Sequence, residues 1–257
     1  MAEHKQLKHY YDKDLAKLLG DKIIKAYPKF PKQKFISIID RKTGGLELKD
    51  RVNVITETLY EFLPKDYKKS VKILMSILGP PNQNETGMFK EGYWLMPVAF
   101  FVEKYGIDDF TTSTDAIYEI TQRNTGEYAV RPFLVKYPKK TISLMLKWSK
   151  NKNVHIRRLS SEGMRPKLPW AKKLQQFVDD PRPILPILEN LKEDESLFVR
   201  KSVANNLNDI LKDNYDVAIK VLKKWSESKN TNTQWIVKHA LRNELKKGNL
   251  EAKQLVK

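Results

Sequence analysis

Residues 146–158, LKWSKNKNVHIRR, and their echo at residues 223–226, KKWS, decide the fold. Their tryptophans, Trp148 and Trp225, are 77 residues apart. An apolar residue followed by a basic one recurs after the first tryptophan, at Ile156-Arg157, Val199-Arg200 and Val237-Lys238. Successive pairs are 43 and 38 residues apart, and helix pairs repeating about every 40 residues are typical of HEAT and armadillo proteins. The spacing predicts stacked two-helix repeats, although three weak similarities also arise by coincidence in helical chains.

Outside this region, apolar residues recur at helical spacing along nearly the whole chain. Leu15, Leu18, Leu19 and Ile23 form one such stripe. The chain has only 10 glycines and no Asn-Gly or Asp-Gly pair of the kind that closes β-hairpins. We therefore predict an all-α protein. Because no helix pair buries its apolar face alone, stacking produces a curved solenoid with a concave surface.

Length and composition fit one globular domain. The 257 residues are enough to bury a core, and 40% of them are hydrophobic. We predict a single domain over residues 1–257, with an N-terminal helical segment at 1–45. Cysteine is absent, which excludes disulfides and thiolate chemistry. The polar N-terminus lacks a signal-peptide core, and no stretch approaches the roughly 20 apolar residues that span a bilayer, so we predict a cytoplasmic protein.

The charge indicates the kind of partner. Lysine and arginine total 48 against 31 acids, a formal net charge of +17. A basic surface is typical of proteins that bind polyanions. Two alternatives are a lysine-rich proteome, in which lysines only solvate helices, and a membrane surface, for which no segment pairs a basic face with an aromatic one. We find no phosphate-binding loop and no metal-ligand spacing among the four histidines, and we predict neither metal nor cofactor.

Residues 155–173, HIRRLSSEGMRPKLPWAKK, concentrate this charge. The stretch holds one acid, Glu162, and six basic residues, Arg157, Arg158, Arg165, Lys167, Lys172 and Lys173. Gly163 predicts the end of a helix, followed by an extended connector. A carboxylate on a phosphate-binding face repels DNA, so Glu162 needs a reason to be there. A purely structural one is a pair with Arg158, four residues earlier on the same helix face.

Two other acids and one tryptophan have related settings. Glu127 is followed four residues later by Arg131, and Asp209 lies nine residues after Arg200. Each acid taken singly is more often solvated or ion-paired than catalytic. Trp170 follows a proline, and the sequence leaves two roles open: a buried anchor for the connector, or an exposed plate that stacks on a nucleotide.

Together these residues resemble the AlkC branch of the HEAT-like-repeat DNA glycosylases. The similarity is strongest in IRRLSSEGMRPKLPW (156–170), and it continues in VRKSVANNLND (199–209) and WIVKHALR (235–242). Weaker similarity lies upstream, in GYWLMP (92–97) and EYAVRPF (127–133). The resemblance covers about residues 46–250. It implies a right-handed solenoid of HEAT-like repeats with a concave DNA-binding face, in the short form without a C-terminal immunoglobulin-like domain.

The resemblance also implies an activity. The family excises cationic N-alkylated bases such as 3-methyladenine from double-stranded DNA without a cofactor, and we expect a monomeric, nucleoid-associated bacterial enzyme. The implied acids are Glu127, Glu162 and Asp209. The implied DNA- and lesion-binding residues are Trp170, Arg157, Arg158, Arg165, Lys167, Arg200, Lys201, Lys238 and Arg242.

Two other function classes remain open. A non-catalytic binder of damaged or branched DNA on the same fold explains the charge but not the acids. A protein-interaction scaffold, the commonest use of HEAT solenoids, explains the repeats but neither the charge nor the acids within a basic stretch.

Overall fold

The computed structural model describes residues 5–86 and 92–256. Within these ranges the chain forms helices joined by turns and loops, and no strand, which confirms the all-α prediction. None of the described helices is long and apolar enough to cross a membrane. The helices form two compact units, Met1–Pro132 and Phe133–Lys257.

Six helices build the first unit over its described residues, 5–86 and 92–132. They are α1 (Lys13–Ala26), α2 (Lys32–Lys42), α3 (Leu48–Phe62), α4 (Tyr67–Ser76), α5 (Met96–Tyr105) and α6 (Phe110–Thr121), with short 3-10 turns at Leu7–Tyr10 and Tyr93–Leu95. The predicted stripe on α1 buries Leu15, Leu19 and Ile23, whereas Leu18 is 37% exposed because it lies at the edge of that face. Helices α1 and α2 lie within residues 1–45, the predicted N-terminal segment. Helix α7 (Arg131–Lys136) contains the boundary between the units.

Nine helices build the second unit. They are α8 (Pro138–Trp148), α9 (Val154–Glu162), α10 (Gln175–Asp179), α11 (Leu185–Leu191), α12 (Leu197–Asp213), α13 (Tyr215–Ser226), α14 (Thr231–Ala240), α15 (Arg242–Lys246) and α16 (Leu250–Leu255), with a 3-10 turn at Arg182–Ile184. The first helices, α8, α11 and α13, pack against the second helices of their pairs, α9, α12 and α14, and α12 packs between α9 and α14. Trp148 and Trp225 are both buried, at the ends of α8 and α13.

Each second helix begins in the same way. A capping side chain accepts hydrogen bonds from backbone N–H groups of the first turn, and these caps are Asn153, Ser196 and Asn230. Two residues earlier, another side chain accepts the N–H of the cap itself, and these residues are Asn151, Asp194 and Ser228. The shared hydrogen bonds identify α9, α12 and α14 as equivalent elements of a repeat.

A long side chain four residues after each cap braces the same turn. It reaches back and donates to the carbonyl oxygen six residues earlier, and the three donor–acceptor pairs are Arg157–Asn151 (3.1 Å), Arg200–Asp194 (2.8 Å) and Gln234–Ser228 (3.0 Å). These donors are 43 and 34 residues apart. The equivalent residue in the third repeat is therefore Gln234, and our alignment of Lys238 with Arg200 was wrong by one helical turn. Helical periodicity places an apolar residue on the same face after four positions, so the pattern alone does not fix the register.

Candidate active site

The end of α9 positions the first candidate acid. Glu162 is the last residue of the helix, as the Gly163 signal predicted, and it is buried. Its Oε2 accepts a hydrogen bond of 2.6 Å from the Ser202 hydroxyl on α12, and its Oε1 accepts one of 2.8 Å from Arg165 Nη1. Arg158, the partner that spacing on one helix suggested, is farther away, with its Nη2 3.7 Å from Oε1.

Arg165 also binds the second candidate acid. Its Nε donates to Asp209 Oδ2 at 2.9 Å, so one guanidinium bridges carboxylates from α9 and α12. Asp209 is buried, and its Oδ1 accepts a hydrogen bond of 3.0 Å from Lys212. The structure therefore brings Glu162 and Asp209 together around a buried cation. Arg200, the basic residue with which we associated Asp209 in the sequence, instead braces the α12 cap.

The charges in this cluster keep Glu162 ionised. Burial by itself raises the pKa of the Glu162 carboxyl. The positive charges of Arg158 and Arg165 and the hydrogen bonds from Ser202 and Arg165 outweigh this effect, and hold the pKa below its usual range. Burial alone lowers the pKa of Arg165, but Glu162 and Asp209 raise it by more than burial lowers it. The pKa therefore lies above its usual value, and the guanidinium stays charged. Glu162 and Arg165 therefore form a fixed, ionised pair from which bulk water is largely excluded.

Glu127 lies in the first unit. It is only 5% exposed, and the Thr125 hydroxyl donates to its Oε2 at 3.0 Å. The Glu127 backbone N–H in turn donates to the Thr125 hydroxyl oxygen at 3.2 Å. The short turn before α7 therefore holds the side chain in one orientation.

Trp170 lies in the connector between α9 and α10. Two backbone hydrogen bonds close this loop, from Ala171 N to Leu168 O at 3.2 Å and from Leu174 N to Pro166 O at 3.0 Å. Leu168 and Leu174 are buried and anchor the loop, whereas Trp170 is 55% exposed.

The Trp170 backbone is also unusual. Its φ of 61° makes it the only non-glycine residue with positive φ in the described part of the chain. Such a conformation is unfavourable for a side chain with a Cβ, and residues held in it concentrate at functional sites.

Several predicted DNA-binding residues have intramolecular partners. Arg157 forms a two-pronged ion pair with Asp194, with distances of 2.6 Å and 3.1 Å, and Lys167 lies 2.6 Å from an oxygen of Asp213. Arg165 is the bridge between the two acids. These contacts favour a structural role for the three side chains over the phosphate contacts predicted for them.

The other predicted cations have different surroundings. The Arg158 guanidinium lies 4.6 Å from the centroid of the Phe198 ring. Arg242 donates to Asn205 Oδ1 at 2.9 Å, while Lys201 and Lys238 are exposed.

Sequence reasoning missed Ser202 and Lys212. Both lie on α12, a helix rich in small and polar residues. Ser202 is 40 residues from the acid that it binds, and a lone serine in a helix carries no signal for such a contact. Only the packing of α12 against α9 reveals it.

Comparisons with known proteins place this geometry in a family. A family model described as DNA alkylation repair enzyme matches residues 124–243. The uncharacterized protein YhaZ of Bacillus subtilis (strain 168) is 42% identical over 247 residues, covering 96% of this chain and 66% of YhaZ. The structure of Pseudomonas fluorescens alkylpurine DNA glycosylase AlkC, bound to DNA containing an abasic site analog, matches with a TM-score of 0.89 and 33% identity, covering 98% of this chain and 68% of AlkC.

The chain belongs to the AlkC-like family of DNA alkylation repair enzymes.

Family membership confirms the resemblance drawn from the sequence, and the match with AlkC confirms the HEAT-like-repeat fold. The range matched by the family model contains Glu127, Glu162, Trp170 and Asp209. The chain spans about two thirds of the length of the AlkC-like relatives that it matches.

Arg165→Gln tests the role of the bridge. At pH 7 we expect the free energy of unfolding to fall by about 3–5 kcal/mol, because two buried carboxylates lose their shared cation. The lowered pKa of Glu162 gives wild-type protein a stabilising contribution that is present above the ordinary glutamate pKa of about 4.3 and is lost as pH falls through the folded-state pKa. In the variant, burial opposes ionisation and this contribution shrinks or reverses. The stability difference between the two proteins should therefore narrow from pH 7 to pH 4 in urea unfolding experiments.

The matched control is Arg182→Gln, which removes an exposed pair with Asp180. It should change stability little at any pH. A destabilisation by Arg165→Gln that is constant across the pH range would contradict the assignment of its effect to the buried charges.

Proposed function

We propose that this protein is a DNA glycosylase that removes cationic N-alkylated bases from double-stranded DNA. The observation that carries the proposal is the buried pair of acids, Glu162 and Asp209, held by one arginine in a chain of the AlkC-like family. AlkC is an alkylpurine DNA glycosylase, and its structure contains DNA with an abasic site analog. Base excision leaves an abasic site, so the DNA in that complex resembles the product of the proposed reaction.

The reaction requires a negative charge that stabilises a cationic transition state, and it does not require a proton donor. Alkylation makes the base a cation, so the C1′–N bond breaks with its electron pair going to the base, which leaves neutral. The sugar becomes an oxocarbenium-like cation, as in sugar hydrolysis. Water then bonds to C1′ and gives its proton to a carboxylate and thence to solvent. A general acid is unnecessary because the leaving base already carries its charge.

The surroundings of Glu162 suit this task. A carboxylate that must stabilise a transient cation has to be ionised beforehand and correctly oriented, and a preorganised group of this kind contributes roughly 3–4 kcal/mol to lowering the barrier. Ser202 and Arg165 fix the orientation, and the lowered pKa keeps the charge at neutral pH. Burial reduces screening by water, which strengthens the field of the carboxylate. We assign Asp209 and Glu127 to the same role, as acids that stabilise the cation or orient the water.

Trp170 suits recognition of the lesion. An exposed indole face attracts a cationic base through its π electrons and accepts stacking by a sugar or base. The exposed side chain and the positive φ support this assignment, because a residue that only anchors the loop would be buried and would not require an unfavourable backbone conformation. Arg158, whose guanidinium lies near Glu162, is a candidate contact for a backbone phosphate.

Glu162→Gln and Asp209→Asn should separate catalysis from binding. We expect each to slow single-turnover release of 3-methyladenine from methylated duplex by about 10²–10³-fold, because stabilisation of the transition state is lost. Duplex affinity should stay equal or increase slightly, because a negative charge is removed near phosphates. Asp213→Asn is the control, since Asp213 is an acid on the same helix that pairs with Lys167. Unchanged release in both test variants, with the wild type active, would mean that the acids are structural.

An inactive wild type that binds duplex tightly would instead favour the non-catalytic DNA binder. Each variant is compared at a temperature at which circular dichroism shows it folded, because both substitutions alter a buried ion cluster.

Trp170→Gly distinguishes recognition from anchoring. Glycine adopts positive φ without strain, so the free energy of unfolding should stay the same or rise by up to about 1 kcal/mol. Discrimination between alkylated and undamaged duplex should weaken by about 5–30-fold, which corresponds to about 1–2 kcal/mol of cation–π interaction. Trp170→Phe retains an aromatic face and should lose less. A marked fall in melting temperature for Trp170→Gly would indicate that the indole holds the loop together.

A further inference from the structure

A cleft beside α14 and α15 contains none of the acids assigned to the proposed reaction. Its volume is about 320 Å³, and it is lined by Trp235, Lys238, His239, Arg242 and Leu245. Three of the five side chains carry positive charge or acquire it on protonation, and none is acidic. The lining therefore suits an anion.

The cations here differ from those of the active site in having no carboxylate partner. Arg165 and Lys167 are each paired with an acid, whereas Lys238, Arg242 and the neighbouring Lys201 form no ion pair with any acid among the described residues. Arg242 instead donates to the His239 carbonyl oxygen at 2.7 Å and to Asn205 Oδ1 at 2.9 Å. These hydrogen bonds orient the guanidinium and leave its charge uncompensated.

Trp235 holds two of the groups in place. The His239 ring stacks on the indole, with ring centroids 4.7 Å apart and planes 14° from parallel. The Arg200 guanidinium lies 5.8 Å from the indole centroid, and its Nη1 is fixed by two backbone carbonyl oxygens of the α12 cap. Because the indole already contacts both groups, it serves as a platform for them. A phosphate therefore fits the cleft better than a stacked nucleobase.

The charges around His239 are predominantly positive. Arg242 follows α14 in the chain, Lys201 and Arg200 lie on α12, and Lys238 adjoins it on α14. Burial, followed by the charges of Arg242 and Lys201, lowers the pKa of His239 and favours the neutral ring. The negative charge of a bound phosphate raises the pKa of His239 and favours the protonated ring.

Arg242 links the cleft to the candidate active site. It donates to Asn205 Oδ1 at 2.9 Å, and Asn205 lies on α12, the helix that also carries Asp209. A phosphate bound in the cleft would therefore lie beside the helix that carries Asp209.

We propose that this cleft is a subsite for a backbone phosphate of bound DNA, and that His239 takes up a proton from solvent when the phosphate binds. The subsite rests on DNA being the ligand of the proposed function, but it does not depend on base excision. Lys238 and Arg242 supply permanent charge, while His239 adds a charge only in the complex. Duplex affinity then increases as the pH falls.

The first experiment measures affinity for undamaged duplex by fluorescence anisotropy from pH 8 to pH 5.5 at fixed salt. Wild-type affinity should increase by up to about tenfold for each unit by which DNA raises the His239 pKa. His239→Gln should remove most of this increase, because the glutamine side chain does not take up a proton in this pH range. A pH dependence in His239→Gln equal to that of wild type would overturn the proposed proton uptake.

The second experiment measures how affinity depends on salt. Lys238→Ala should reduce the slope of log affinity against log salt by about 0.9, the value for one phosphate contact. Lys220→Ala removes an exposed lysine on α13, away from the cleft, and should leave the slope unchanged. Equal slopes for wild type and Lys238→Ala would overturn the subsite.

Two further measurements separate the sources of failure. Inorganic phosphate at about 10 mM is titrated against the His239 resonances by NMR, and a shift as large as that caused by duplex would replace the DNA subsite with a free-phosphate site. Release of 3-methyladenine is assayed on the same samples. Absence of pH-dependent binding with base release intact rejects the proton uptake by His239 and leaves the glycosylase, whereas pH-dependent binding without base release rejects the glycosylase and retains the subsite.

Discussion

The bridge formed by Arg165 between Glu162 and Asp209 is the interaction on which the second unit depends most. Burying a carboxylate is costly, and two like charges close together add repulsion. The single guanidinium of Arg165 compensates the burial cost and the repulsion of the two carboxylates. Its hydrogen bonds of 2.8 Å to Glu162 and 2.9 Å to Asp209 constrain α9 relative to α12. Breaking such a cluster is much more costly than replacing it with apolar residues, so it specifies the arrangement more than it stabilises the fold.

The repeat is what brings the bridge together. Glu162 and Asp209 are far apart in the chain, and they meet because the second helices of successive pairs pack side by side. The cap and the bracing side chain fix where α9 and α12 begin, through the donors Arg157 and Arg200. Since both helices start from the same turn geometry, residues at their far ends are also set in register. The basic residues of the repeat therefore divide into those that build the turn and those that remain available to a ligand.

The sequence predicted the elements better than the contacts. The all-α fold, the helix end at Gly163 and the period of the first two repeats follow from local patterns, because apolar spacing and capping residues act within one or two turns. The third repeat was misaligned by one turn, since periodicity does not distinguish positions four residues apart. From the sequence we considered only Arg158 as a structural partner of Glu162, whereas Arg165 is the closer one in the structure. Both are cations within reach, and the choice depends on the position of Asp209 on another helix.

Stability alone does not account for the site. Two buried acids and their arginine occupy interior space that apolar side chains of similar volume fill at no cost in desolvation. Trp170 exposes a large apolar surface on a backbone conformation that disfavours any side chain with a Cβ. Both features are unfavourable for folding, and they occur together in the segment that joins α9 to α10. A sequence under selection for stability alone would lose them readily, because Trp170→Gly removes the backbone strain in one step. Their presence together is most simply explained by a ligand that needs a fixed negative charge and an exposed aromatic face, which is what a cationic base on a deoxyribose offers to bind.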